Sequence, residues 1–175
     1  MGLTSTSTGA GAADTALVLR RERPDDRIVA LAGNPNVGKS TVFNALTGLR
    51  QHTGNWPGKT VTSAQGRCER GGRGYVLVDL PGTYSLMAHS AEEEVARDFL
   101  CFGGADGAVV VCDATCLERN LNLVLQTWSS APHRGASTSW TRRSARVCGW
   151  SWRLSRRLGV PVVGAAAGRG KGWRR

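Results

Sequence analysis

The fold is decided by the stretch Gly33-Asn34-Pro35-Asn36-Val37-Gly38-Lys39-Ser40, which matches the G-x-x-x-x-G-K-[ST] pattern of phosphate-binding loops. Its two glycines let the backbone wrap a phosphate without interference from a Cβ atom. The amides of residues 36 to 40 then point at a β-phosphate, toward which the next helix turns its positive end. We therefore predict that Lys39 reaches the β- and γ-phosphates and that the Ser40 hydroxyl binds Mg²⁺.

The residues on either side of this loop have the pattern that the motif requires. Arg27–Ala32 is an apolar run typical of a buried strand, and Thr41–Leu46 is typical of a helix that ends at Gly48. The alternative is a glycine-rich turn that matches by chance. A strand, a loop and a helix in register favour the phosphate site over a chance match. We predict that the phosphate-contacting residues of this loop end at Thr41.

Length and composition indicate one globular domain. The chain has 175 residues, of which 41% are hydrophobic, and no apolar run approaches the roughly 20 residues that span a bilayer. Its five cysteines are odd in number and form no C-x-x-C pair, so neither a disulfide framework nor a zinc site is indicated. We expect Cys112 to pack in a core strand, and residues 1–26, rich in Ser, Thr, Gly and Ala, to form a flexible leader.

The positive charge is confined to the end of the chain. Residues 1–127 hold 12 basic and 13 acidic residues, whereas residues 128–175 hold 11 basic residues and no acid, which gives the net charge of +10. Five of the six tryptophans also lie in this last part. Such a composition is typical of nucleic-acid binding, but the segment contains no recognisable nucleic-acid-binding motif, and we expect no nucleic-acid partner.

The segment Leu49–Thr60 is predicted to be a loop because Gly, Asn and Pro dominate it. It lies where nucleotide switches place their first mobile segment, and Thr60 is the candidate second side chain on Mg²⁺. The alternative is that Thr60 only begins the next strand. The nucleotide-contacting residues predicted in this region are Gly58, Lys59, Thr60, Val61 and Thr62.

Val61–Arg70 and Gly74–Asp79 flank two glycines and predict a β-hairpin. The second strand ends in the D-x-x-G sequence Asp79-Leu80-Pro81-Gly82. An acid at the end of a buried strand is costly unless it serves a cation or donors. We predict that Asp79 holds Mg²⁺ through water and that the Gly82 amide contacts the γ-phosphate.

The following residue, Thr83, stands where Ras-type switches carry a glutamine that positions water, so slow intrinsic hydrolysis is expected. Ser90 and Glu93 form a capping box for a helix to about Phe102. A continuous apolar strand at Ala108–Asp113 and a further helix from Asn120 complete an alternating pattern. We therefore predict an α/β P-loop NTPase, Ras-like, with a doubly wound and mostly parallel sheet, one β-hairpin and an incomplete end after residue 127.

Four segments together resemble the G domain of the ferrous iron transport protein B family. They are Gly33–Ser40, Gly54–Val61 with its Asn-Trp-Pro-Gly, Asp79–Leu86, and Asp113–Leu121. The resemblance covers about Arg27 to Gln126 without a gap. It implies a cytosolic domain at the bacterial inner membrane that binds GTP or GDP with Mg²⁺, joined in the family to a membrane permease domain for Fe²⁺ that these 175 residues lack.

The resemblance also implies a potassium-stimulated GTPase, with Asn36 as the K⁺ ligand. A K⁺ ion beside the phosphates would supply the positive charge that is otherwise not supplied, since the glutamine is missing and no arginine finger is predicted. No side chain is predicted as a catalytic base, and Lys39 and Asn36 are assigned supporting roles. Ala165 and Ala166 match loosely the loop that packs on the base, in a remnant of the domain at residues 153–175.

The family pattern breaks after residue 127. A guanine-specific domain needs a buried strand ending in N-x-x-D, but residues 128–152 show neither helical nor strand periodicity. We expect the central strand to be lost and the last strand, Val160–Val163, to lack its neighbour. Guanine selectivity and stability would both be weakened.

A reading-frame slip accounts for residues 128–152. Read one base earlier, Trp140-Thr141 encodes Asp, Ser139-Trp140 encodes Leu, Val or Met, and Ser137-Thr138 permits Asn, which restores the missing motif. Clean DNA reads across this segment, with no alternative frame that carries the motif, would refute the hypothesis. Two rival functions stay open: a non-functional gene fragment that binds nucleotide weakly or not at all, and another P-loop GTPase such as a ribosome-assembly factor.

Overall fold

The structure, a computed structural model, describes residues 19–48, 51–56, 59–130, 137–141, 156–159 and 161–165. In chain order the elements are β1 (Arg27–Gly33), α1 (Lys39–Thr47), β2 (Gln51–Asn55), β3 (Thr62–Arg70), β4 (Arg73–Asp79), α2 (Ala91–Phe102), β5 (Gly107–Asp113), a 3-10 turn (Ala114–Cys116), α3 (Leu117–Ser130), β6 (Ser137–Thr141) and β7 (Val162–Ala165). Residues 1–18 of the predicted flexible leader lie outside these ranges.

The seven strands in the described part of the chain form one sheet in the order β2-β3-β4-β1-β5-β6-β7. The pairs β4–β1, β1–β5, β5–β6 and β6–β7 are parallel, and β2–β3 and β3–β4 are antiparallel. The predicted mostly parallel α/β sheet is confirmed. Because β4, β1 and β5 end at the same edge, the loops that follow them meet there.

The central strands are buried on both faces, as their unbroken apolar sequences predict. In β1, Ile28, Ala30 and Ala32 pack on the side of α2 and α3, whereas Leu31 packs with Phe43 of α1. Cys112 of β5 is fully buried, which confirms its place in the core, and burial raises the pKa of its thiol to about 12.

Helix α1 ends where the sequence predicts. Gly48 adopts a left-handed conformation (φ 63°), and its N–H donates to the carbonyl of Asn44. The hairpin between β3 and β4 is also confirmed, and it turns through Gly71 and Gly72, both with positive φ.

Helix α2 begins at the predicted cap, since the Ser90 hydroxyl accepts a hydrogen bond from the Glu93 N–H at 3.2 Å. Helix α2 buries Val95 and Phe99 against the sheet, whereas Phe102, its last residue, is 84% exposed.

The sequence predicted one hairpin and a loop over Leu49–Thr60, but part of that segment is a strand. Gln51–Asn55 forms β2, which pairs antiparallel with β3 and makes a second hairpin. Strand pairing is made by backbone groups, so a run without apolar alternation still extends the sheet at its edge.

The largest correction concerns the region after residue 127. Helix α3 continues to Ser130, and Ser137–Thr141 forms β6 between β5 and β7, so the sheet continues beyond residue 127 and the last strand has a neighbour. Ser, Thr and Trp show no alternation here, but Thr and Trp suit strands. Backbone pairing thus forms a strand between β5 and β7 where hydrophobic periodicity predicts none.

Candidate nucleotide site

The predicted phosphate loop lies between β1 and α1 and has the backbone of an anion cradle. Asn36 (φ 64°) and Gly38 (φ 88°) are left-handed, and within the described ranges Asn36 is the only residue other than glycine with positive φ. Left-handed residues in such a loop turn successive N–H groups toward one point. Val37 between them is buried against α1 and β5, so the loop is anchored in the core.

Two glycines are needed for close packing around the loop. A Cβ atom at Gly33 would lie 2.6 Å from the carbonyl oxygen of Val111 in β5, and one at Gly82 would lie 3.0 Å from Cα of Pro35. Gly33 therefore allows β1 and β5 to approach, in addition to its predicted role at the phosphate. Gly82 brings the D-x-x-G segment against the loop.

Helix α1 starts at Lys39 with no side-chain cap, because Gly38 is its N-cap. The N–H groups of the first turn of a helix have no partner within the helix, and the dipole favours an anion there. Ser40 and Thr41 are both exposed at this end. The helix end can therefore accept a phosphate, as the sequence predicts.

The charged pair at the centre of the site joins Lys39 to Asp79. Lys39 Nζ lies 2.6 Å from Asp79 Oδ1, and both side chains are largely buried. Burial raises the pKa of the Asp79 carboxyl above its ordinary value, and the Lys39 ammonium opposes that rise. The structure thus brings the lysine of the phosphate-loop motif into contact with the aspartate of the D-x-x-G motif.

Backbone hydrogen bonds fix the D-x-x-G segment beside the loop. The Leu80 N–H donates to the carbonyl of Leu31 at 3.0 Å, and the Thr83 N–H donates to that of Gly33 at 3.2 Å. These bonds extend the parallel pairing of β4 with β1 past the strand ends. Asp79 and Pro81 therefore stay next to the loop.

Thr83 does not replace a water-positioning glutamine. It is 1% exposed, and its hydroxyl donates to the carbonyl of Ser85 at 2.6 Å and lies 3.3 Å from Glu93 Oε1. The same oxygen accepts from the Ser85 N–H at 3.2 Å. Because the hydroxyl is buried and engaged in these bonds, it is not free to orient a water.

Residues 27–175 match the family model described as ferrous iron transport protein B. The chain belongs to this family. It is 40% identical over 152 residues to the Fe(2+) transporter FeoB of Salmonella typhimurium, an alignment that covers 82% of this chain and 19% of the relative. The chain spans between 15% and 19% of the length of the curated FeoB relatives that it matches.

Solved FeoB structures have the same fold. The G domain of the T. maritima FeoB iron transporter superposes with a TM-score of 0.75 at 38% identity, covering 83% of this chain and 91% of that one. The cytosolic domain of the same transporter in a GDP form gives a TM-score of 0.75 at 37% identity, covering 84% of this chain and 58% of that one. The chain therefore corresponds to the G domain of FeoB, and the alternative of an unrelated ribosome-assembly GTPase is excluded.

The structure places the other predicted site residues that it describes at the start of β3, just before it, and at the end of β7. Thr60 is exposed, and Lys59 forms an ion pair with Glu94 of α2 at 2.7 Å. Val61 is buried and Thr62 begins β3. Ala165 is the last residue of β7, whereas Gly58 and Ala166 lie outside the described residues.

Sequence reasoning missed the polar side chains that hold the segment after Gly82 in this FeoB domain. Gln126 of α3 accepts bonds from Ser85 and Leu86, and Glu93 accepts one from the His89 N–H. Glu94, in the same first turn of α2, is exposed and accepts a hydrogen bond from Lys59 at 2.7 Å. A glutamine beside the buried face of α3 was the available signal.

Proposed function

We propose that the chain binds GTP with Mg²⁺ and hydrolyses it slowly, as the nucleotide switch of a ferrous iron transporter. The observation that carries the proposal is the 2.6 Å contact between Lys39 and Asp79, which unites the phosphate loop with the D-x-x-G acid at one edge of the sheet. The G domain of FeoB has this chain's fold, and one solved relative is in a GDP form.

The phosphates fit the loop between β1 and α1. Its left-handed residues and the uncapped helix end supply N–H donors, and Lys39 supplies the positive charge. The residues that would line the phosphates are Gly33, Asn34, Pro35, Asn36, Val37, Gly38, Lys39, Ser40 and Thr41.

The donors near this loop also suit Mg²⁺, which prefers oxygen ligands such as hydroxyl and carboxylate groups. Ser40 and Thr60 would supply hydroxyls and Asp79 a carboxylate held through water. When bound, the ion neutralises charge on the phosphates. Thr60 follows Lys59, which pairs with Glu94 of α2.

Slow hydrolysis follows from the engaged Thr83 hydroxyl. Asn36 is the proposed ligand for K⁺, because it is exposed at the loop and its amide oxygen suits a monovalent cation. Hydrolysis should accordingly be faster in K⁺ than in Na⁺. Ala165 and Ala166 would pack on the base, and without an N-x-x-D motif we expect weaker discrimination between guanine and adenine.

Thermal melting of the full chain with Mg²⁺ and GTP, GDP or ATP tests the proposal. We expect GTP and GDP to raise the melting temperature. In a separate assay with GTP, we expect slow release of phosphate that is faster in K⁺ than in Na⁺. A chain stabilised by no nucleotide would instead be the non-functional fragment. Lys39→Ala provides the matched control, since it should abolish the shift.

Regulation of Fe(II) uptake belongs to a longer protein, because the chain spans less than a fifth of its relatives. The proposal here is that the nucleotide state of this domain at the cytoplasmic face controls a permease domain. The contacts that would transmit the nucleotide state begin at Lys59, which is bonded to α2, and at Ser85 and Leu86, which are bonded to α3.

A further inference from the structure

Helix α3 is bonded to Ser85 and Leu86, in the segment after Gly82, through the side-chain amide of Gln126. Gln126 Oε1 accepts a hydrogen bond from the Leu86 N–H at 2.6 Å and one from Ser85 Oγ at 3.0 Å. These residues are 40 and 41 positions apart in the chain. One half-buried side chain therefore holds two consecutive residues of the segment Gly82–Met87, which we call the switch segment.

The direction of these bonds is fixed by chemistry. A backbone N–H can only donate, so the oxygen of the Gln126 amide must face Leu86. The Met87 N–H donates to Ser85 Oγ at 3.0 Å, so the Ser85 hydroxyl accepts there and donates to Gln126. The turn at Ser85–Met87 thus closes around the amide oxygen.

The start of the same helix reaches the phosphate loop. The carbonyl of Arg119 accepts from Asn34 Nδ2 at 3.3 Å, and the Arg119 guanidinium lies 4.3 Å from the ring centroid of Tyr84. Asn122 Nδ2 donates to the Tyr84 carbonyl at 3.4 Å. Asn34 and Gln126 therefore attach the loop and the switch segment to one rigid helix.

Between these attachments the chain has little freedom. Thr83 is bonded to Gly33 of the loop, and Ser85 and Leu86 are bonded to α3, so Gly82 is held beside Pro35. Gly82 carries the N–H that the proposed function assigns to the γ-phosphate. The position of that N–H depends on bonds made three and four residues later.

We infer that Gln126 is a positioning residue for the switch, acting through Ser85 and Leu86 and never touching the nucleotide. The inference rests on the proposed function. Its consequence is selective: loss of the amide oxygen weakens contacts to the γ-phosphate and slows hydrolysis. Binding of GDP, which has no γ-phosphate, stays unchanged.

The test compares Gln126→Leu, which removes the acceptor, with Gln126→Glu, which keeps it, in the full chain. Ser129→Ala is the control, since among the described residues the Ser129 hydroxyl bonds only to the Leu125 carbonyl on its own helix. We expect Gln126→Leu to lower kcat and the affinity for a non-hydrolysable GTP analogue by about tenfold each, as small misplacements do. GDP affinity should stay within twofold, and Gln126→Glu should behave like the wild type.

Hydrogen exchange at the Leu86 amide gives a second readout that does not need nucleotide, and Gln126→Leu should speed it. Equal kinetics in the Leu variant and the wild type, or equal losses for GTP analogue and GDP, would overturn the positioning role. Tighter analogue binding in the Leu variant would also overturn it, since the bonds would then restrain the switch. A wild-type chain that binds no nucleotide refutes the proposed function itself, whereas kinetics unchanged by Gln126→Leu refute only this inference.

Discussion

At the scale of single residues, the contact between Lys39 and Asp79 follows from the motifs and the topology. Asp79 ends β4 and Lys39 begins the helix that follows β1, and these two strands are parallel neighbours, so the sequence predicts that the two residues meet. The bonds of Thr83, Glu93 and Gln126 could not be predicted in this way. They join loop residues to helices about 10 to 41 positions away, and such contacts have no periodicity in the sequence.

Lys39→Ala should destabilise the chain more than Asp79→Asn does. The alanine leaves a largely buried carboxylate without its cation, which costs about 1.5 to 3 kcal/mol of unfolding free energy. Asparagine removes the charge and keeps the shape, and the flexible Lys39 can turn its ammonium to water. Urea denaturation measures both values.

The double variant is the control for that comparison. With the charge and its partner both removed, most of the loss caused by Lys39→Ala should be recovered. Additive losses in the double variant would show that the two side chains do not interact.

At the scale of elements, the turn between β2 and β3 is attached to α2 at two points. Trp56 packs edge-on against Phe99 with ring centroids 5.3 Å apart, and Lys59 pairs with Glu94. The sequence places Trp56 and Thr60 in one loop but does not indicate which helix the loop contacts. The ion pair is partly exposed, so its effect on global stability is small and its effect on the turn is local.

Glu94→Gln should make the turn more accessible without unfolding the domain. Trypsin cleaves after Lys59, and loss of an ion pair worth about 0.2 to 1 kcal/mol should speed cleavage there by up to about fivefold. Limited proteolysis with mass spectrometry measures the rate. Glu92→Gln, on the same exposed helix start, is the matched control, and equal rates for the two variants would contradict the attachment.

At the scale of the whole molecule, the sequence predicts the order of strands and helices through α3 because each has a clear hydrophobic period or a motif. It fails at β2 and β6, where backbone pairing extends a sheet whose centre is already formed. It also gives no indication that residues 19–26 pack on β3. Asp26, 1% exposed, receives bonds from Arg67 at 2.9 and 3.2 Å.

Acid should destabilise the domain through Asp26. The hydrogen bonds from Arg67 hold the pKa of Asp26 below its ordinary value of 3.8, so its contribution is fully present above that value and is lost as the pH falls below it. Asp26→Asn should therefore flatten the decline of unfolding free energy between about pH 4 and pH 2. Denaturation at a series of pH values measures it.

Asp79→Asn is the matched control, because burial shifts the pKa of Asp79 in the opposite direction. A carboxyl with a raised folded-state pKa gives stability that is present in acid and lost as the pH rises, so removing it should steepen the acid decline. Arg67→Gln should resemble Asp26→Asn if the latter fails to fold. An unchanged acid profile in both Asp26→Asn and Arg67→Gln would contradict the assignment.

The buried Thr83 hydroxyl, bonded to the Ser85 carbonyl, also affects how long a GTP-bound state would last. Under the proposed function, binding of GTP begins each active interval, and hydrolysis, which we expect to be slow, ends it. If K⁺ speeds hydrolysis as proposed, the length of that interval would depend on the K⁺ concentration around the domain. The interval would be short where K⁺ is abundant and long where it is scarce.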